Sequence, residues 1–124
     1  MMKTMKRLLL TLLFLVNIFA SVYAVSYINL SVEAGLSNRK VFSVTKCLKG
    51  YLWFATESGI DKYNGEAFTL YSLPSNNSFH VEKPKGIITS EDGTVYTFSS
   101  HYVYYFDEAA DCFKTLDSIR VSNK

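Results

Sequence analysis

Residues 50–65 (GYLWFATESGIDKYNG) return in weaker form 43 positions later, and this echo restricts the fold more than any other feature. Gly50 falls on Gly93, Leu52 on Val95, Trp53 on Tyr96 and Thr56 on Ser99; Ile60 falls on Val103, Tyr63 on Phe106 and Asn64 on Asp107, all without a gap. Upstream, Val44 meets Ile87; downstream, Phe68 meets Phe113 once two residues are inserted in the 107–111 turn. Each copy alternates short β-branched and aromatic runs with glycine-bearing turns, which reads as a meander of four antiparallel strands. A period near 40–45 residues with four strands per unit is that of a β-propeller blade. A blade carries apolar residues on both faces and cannot bury them alone, so it must stack on neighbours.

The 124 residues allow one domain, and the first 24 stand apart from it. Lys3, Lys6 and Arg7 precede an apolar run, Leu8–Ala20, and Ser21-Val22-Tyr23-Ala24 offers modest and small residues around a cleavage point after Ala24. That is the layout of a secretory signal peptide. Thr11, Asn17 and Ser21 interrupt the run, which falls short of the roughly 20 apolar residues of a spanning helix. Without the three leader cations, ten Lys and Arg face eleven Asp and Glu, a net charge of −1, so the basic pI of the whole chain is no sign of nucleic-acid binding. Export permits a disulfide, but the distant Cys47 and Cys112 define no pairing geometry. Two separate half-buried thiols are the expectation.

The fold class expected is all-β: about two antiparallel propeller blades, an incomplete propeller, after an N-terminal signal helix. Residues 25–35 supply a first strand (25–30) and a loop; 36–73 form blade 1; 74–85 a linker; 86–116 a degenerate blade 2; 117–124 a polar tail. Within blade 1, strands are expected over 41–48, 51–57, 60–63 and 66–73, with Asn64-Gly65 closing a type I′ hairpin. Within blade 2 they are expected over 86–90, 94–99, 102–106 and 112–116. Gly50, Gly59 and Gly65 turn the chain; Trp53 and Tyr63 are expected to pack blade against blade; Thr56 and Ile60 flank the inner turn. Phe54 completes the repeat motif.

Gly35-Leu36-Ser37-Asn38, Val41–Val44, Gly50-Tyr51-Leu52-Trp53-Phe54-Ala55-Thr56, Ser58-Gly59-Ile60 and Tyr63-Asn64-Gly65 together resemble the two-component regulator propeller repeat. That repeat runs Gly-Leu-Ser, a strand, Gly-x-Leu-Trp-Phe-Gly-Thr, x-Gly-Leu, then an aromatic residue and Asn/Asp-Gly. Ala55 and Ile60 depart mildly from it; Tyr96, Phe98 and Tyr102 make the second copy degenerate. The likeness is close over residues 27–73 and looser over 86–116. It implies the N-terminal periplasmic region of a hybrid two-component sensor histidine kinase, truncated before further blades, a membrane span and kinase parts. It also implies a sensing or signal-relay role, a carbohydrate-type ligand in the parent protein, and further propeller blades or another copy of the chain as partners. A small secreted binding or assembly module of propeller type is the alternative.

No catalytic constellation is legible, and the chain is expected not to be an enzyme. His80 and His101 read as solvated loop residues without a nucleophile or carboxylate at a meaningful spacing. A zinc site would need more than two distant cysteines and two unpaired histidines, so neither a metal nor a cofactor is expected. Glu91-Asp92 and Asp107-Glu108 read as turn carboxylates that accept backbone hydrogen bonds. The aromatic run Tyr102–Phe106 could form a sugar platform, but reads as core or interface packing. No ligand-binding residue can be named.

Overall fold

The computed structural model describes residues 2–20 and 26–118. The expected cleavage point and residues 119–124 lie outside this set. Helix α1 spans Met2–Ala20. Its apolar side chains from Leu8 to Val16 are exposed, and no helix among the described residues is long and apolar enough to cross a membrane. A single turn of 3₁₀ helix covers Val32–Ala34.

Eight strands follow. β1 (Val41–Lys46), β2 (Leu52–Thr56), β3 (Gly59–Tyr63) and β4 (Phe68–Tyr71) form one antiparallel sheet in sequence order. β5 (Gly86–Thr89), β6 (Val95–Phe98), β7 (Tyr102–Asp107) and β8 (Cys112–Ser118) form a second with the same order. The described residues form no closed barrel.

The two sheets are congruent in register. Trp53 lies opposite Thr45 and Lys62; Tyr96, its equivalent, lies opposite Ile88 and Tyr105. The inner turns share one hydrogen bond: the Ser58 N–H donates to Thr56 Oγ1 at 3.2 Å, and the His101 N–H donates to Ser99 Oγ at the same distance. The sheets stack face to face. Trp53, Ala55, Ile60 and Leu73 of the first half meet Ile87, Val95, Tyr104, Phe106 and Phe113 of the second in one core. Ser43 Oγ donates to the Ile87 carbonyl at 3.1 Å, and the Thr45 and Thr89 hydroxyls bond at 3.0 Å, which satisfies polar groups along the same seam.

Because side chains alternate across a strand, this stacking leaves one face of each sheet outward. On the second sheet that face carries Ile88, Tyr96, Phe98, Val103 and Tyr105; Ile88 is 59% exposed and Phe98 42%. On the first sheet it carries Val44, Leu52, Phe54, Asp61 and Tyr63. There the segment before β1 lies against it. Leu36 is buried, and Ser37 donates to Asp61 Oδ2 through both its N–H (3.2 Å) and its hydroxyl (2.5 Å).

Four expectations need correcting. Residues 26–30 form no strand: they pair with neither sheet, and Tyr27 is 89% exposed and Ile28 exposed too. Asn64-Gly65 is not a type I′ turn. The loop between paired Tyr63 and Phe68 runs over 64–67, only Gly65 has positive φ there, and Asn64 Oδ1 accepts from the Glu66 and Ala67 N–H groups at 2.9 Å each. The Asn side chain thus closes a longer loop in place of a left-handed backbone. The last strand runs on to Ser118, two residues into the expected tail, because Asp117 and Ser118 pair with Val103 and Tyr102 across a bulge. Tyr63 lies outside the seam between the sheets: it packs on Phe68 on the outward face, and its hydroxyl donates to the Gly65 carbonyl.

Gly59 occupies a backbone conformation (φ +142°) open essentially to glycine, and a Cβ there would sit 2.7 Å from the Tyr71 carbonyl oxygen. Gly50 also has positive φ (+86°), but with open space around it. Gly59→Ala is therefore expected to lose about 2–4 kcal/mol, combining backbone strain with overpacking, and Gly50→Ala about 1–2 kcal/mol from strain alone. Urea unfolding of the two variants checks the order.

Candidate functional site

Two concave sites lie at opposite ends of the stacked sheets. The first is a cleft of about 430 Å³ at the Cys47–Tyr51 end, lined among others by Tyr51, Trp53, Lys62, Asp92, Phe106 and Glu108. Cross-strand pairing sets Lys62 beside Trp53 on the face that meets the second sheet. Its ammonium lies over the rings of Tyr51 (4.5 Å), Trp53 (5.4 Å) and Phe106 (5.8 Å). The aromatic floor therefore already holds a cation, which is a favourable arrangement where water is excluded. Lys49 and Glu108 close the rim across the two sheets at 3.0 Å, and Tyr71 donates to Asp111 at 2.7 Å. Burial, the hydrogen bond to Asp111 and its negative charge push the Tyr71 phenol up to about 12. Trp53 Nε1 is buried without a partner. Cys47 is half-buried at this cleft and Cys112 is exposed at the start of β8; both thiols are free.

The expected motif residues are mostly scaffold. Trp53 sits at the centre of the seam, with Phe106 at 4.8 Å and Phe113 at 5.7 Å between ring centroids. Thr56 and Ile60 are wholly buried beside the inner turn, and Phe54 packs on Phe68 on the opposite face. Of the run Tyr102–Phe106, Tyr104 and Phe106 enter the core. The acidic pairs behave as turn residues. Asp92 Oδ1 accepts from the Thr94 N–H at 3.0 Å and from Ser90 Oγ, and Asp107 Oδ1 accepts from the Ala109 and Ala110 N–H groups.

The second site corrects one part of the reading of the two histidines: both are open to solvent, but they share a carboxylate. The linker brings His80 and Glu82 against the β6–β7 turn that carries His101. His80 Nε2 lies 3.2 Å and His101 Nδ1 3.1 Å from the same oxygen, Glu82 Oε1. The Glu82 side chain is 4% exposed while both imidazoles are open to solvent. Ser99, itself buried, accepts from the His101 and Tyr102 backbone N–H groups at 3.2 Å each. Burial pushes the Glu82 carboxyl up, but the hydrogen bonds from Ser99 and His101 and the charges on His101 and His80 outweigh it and hold the group below its usual 4.5. An open depression of about 490 Å³, bordered also by Asn76, Asn77 and Tyr102, lies beside the cluster.

A carboxyl with a lowered folded pKa stabilises the fold above its unfolded pKa, and that stability is lost as the pH falls through the folded value. Acid unfolding should therefore include a Glu82 component setting in below about pH 4.5. Glu82→Gln is expected to flatten the acid limb of the stability–pH profile; an unchanged limb would count against the cluster. One sequence sign of this site exists: His80-Val81-Glu82 places two polar side chains on one side of an extended segment. His101 has no such sign. It stands where the first repeat has Ser58, and only folding brings it within reach.

No family model and no curated protein matches the chain. Among solved structures, the extracellular domain of BT3049 from B. thetaiotaomicron, assigned to a hybrid two-component system, is similar with a TM-score of 0.58 and 24% identity. The match covers 71% of this chain and 13% of that one. At this identity the likeness is one of fold.

Proposed function

We propose that the chain supplies two successive blades to a larger propeller serving as the exported sensory ectodomain of a two-component system, with no enzymatic role of its own. The observation that carries this reading is the register of the outward faces. The face of the first sheet that packs on the second bears Thr45, Trp53, Ala55, Ile60 and Lys62. The equivalent positions on the second sheet, Ile88, Tyr96, Phe98, Val103 and Tyr105, face outward and are apolar. A third sheet of the same kind would complete there the contact that the first two already make. On the other side, Tyr63 is the equivalent of Phe106, the residue that receives Trp53, so a preceding sheet would meet Tyr63. The similar BT3049 extracellular domain is several times longer than this chain, which supports reading the two sheets as part of a longer protein.

The basic start and apolar run of α1 support export, and the resemblance alone supports a carbohydrate signal, to which no residue is assigned. Export is tested by fusing alkaline phosphatase, which is active only outside the cytoplasm, after residue 118. Activity in intact cells is expected, and it should disappear when residues 2–24 are deleted. An inactive full-length fusion would overturn the exported reading.

A further inference from the structure

We infer that His80, Glu82 and His101 form a binding site for a divalent first-row metal ion, zinc by its ligand set. Two imidazole nitrogens and one carboxylate oxygen lie within 4.8 Å of one another. The two nitrogen–oxygen separations, 3.1 and 3.2 Å, are close to the edge of a tetrahedron with metal–ligand bonds of about 2.0–2.1 Å. Two nitrogens and one oxygen suit zinc better than calcium or magnesium, which take oxygen ligands. The carboxylate that the two imidazoles share is buried. Behind the site the Ser99 hydroxyl oxygen accepts the backbone N–H of His101 at 3.2 Å, which fixes the turn that carries this imidazole. The three side chains also line the open depression bordered by Asn76 and Tyr102, from which water or a small ligand could complete the coordination. The ion would tie the 74–85 linker, and with it the first sheet, to the inner turn of the second. None of this depends on the sensory reading.

The test uses the untagged chain and Zn²⁺ alone, measured by equilibrium dialysis, which is insensitive to association of the chain. One Zn²⁺ per chain is expected. His80→Ala and His101→Ala should each weaken binding more than tenfold. Circular dichroism checks that the variants keep their sheets. Zinc X-ray absorption on the unaltered chain requires no variant: imidazole scattering with oxygen and nitrogen ligands is expected. Failure to take up stoichiometric Zn²⁺, unchanged uptake in the double His→Ala variant, or sulfur ligands at about 2.3 Å from Cys47 or Cys112 would overturn the site. A chain that fails in export but binds zinc through imidazole would leave this site standing.

Discussion

Trp53→Ala is expected to cost about 3–5 kcal/mol, enough to unfold much of the chain at room temperature. Trp53 is 2% exposed, and its ring touches Tyr71 of its own sheet and Phe106 and Phe113 of the other. Its removal therefore empties the seam and also deprives Lys62 of one of the rings beneath its ammonium. Trp53→Phe should cost much less. It retains an aromatic ring in the seam and removes the indole N–H, which is buried without a partner and unfavourable by about 1–3 kcal/mol. Since Trp53 is the single tryptophan, fluorescence follows unfolding of the parent chain directly, and circular dichroism serves for the variants. Equal losses for Ala and Phe would mean that ring contacts across the seam contribute little.

How much of this was legible beforehand depends on what each feature requires. The eight strands of the two sheets, and the equivalence of Thr56 with Ser99, follow from a repeat that local sequence carries in full. Trp53 was legible as a packing residue because its size leaves it few alternatives. Tyr63 was misplaced because period-2 alternation says which residues share a face, but not which face finds a partner within the chain. The type I′ turn failed at Asn64 because its side chain can close a four-residue loop as well as its backbone can enter the left-handed region. Residues 26–30 have strand-like composition, but they pair with no sheet edge, and composition does not say whether a segment finds one. The His80–Glu82–His101 cluster was out of reach because it joins a linker to a turn across a fold whose docking no local pattern records. Lys62 was missed likewise: its three ring partners come from two sheets.

The second large effect concerns the outward face of the second sheet. Ile88 and Phe98 present apolar side chains beside half-buried Tyr96, Val103 and Tyr105, and burying such a face against another is favourable. Residues 25–124 are expected to associate through it, with weak hydrogen-exchange protection in β8, the strand at one edge of that sheet. Replacing both Ile88 and Phe98 by Lys should reduce association more than tenfold without disturbing the seam, because both side chains point away from it.

Sedimentation velocity of residues 25–124 over a range of concentrations, run beside the Ile88→Lys/Phe98→Lys variant, tests most directly whether this face is built for another sheet. The expected result is concentration-dependent association of the parent chain and a shift toward monomer in the variant. A parent chain that stays monodisperse and monomeric, with a sharp cooperative unfolding transition, would contradict the claim that these two sheets belong to a longer stack.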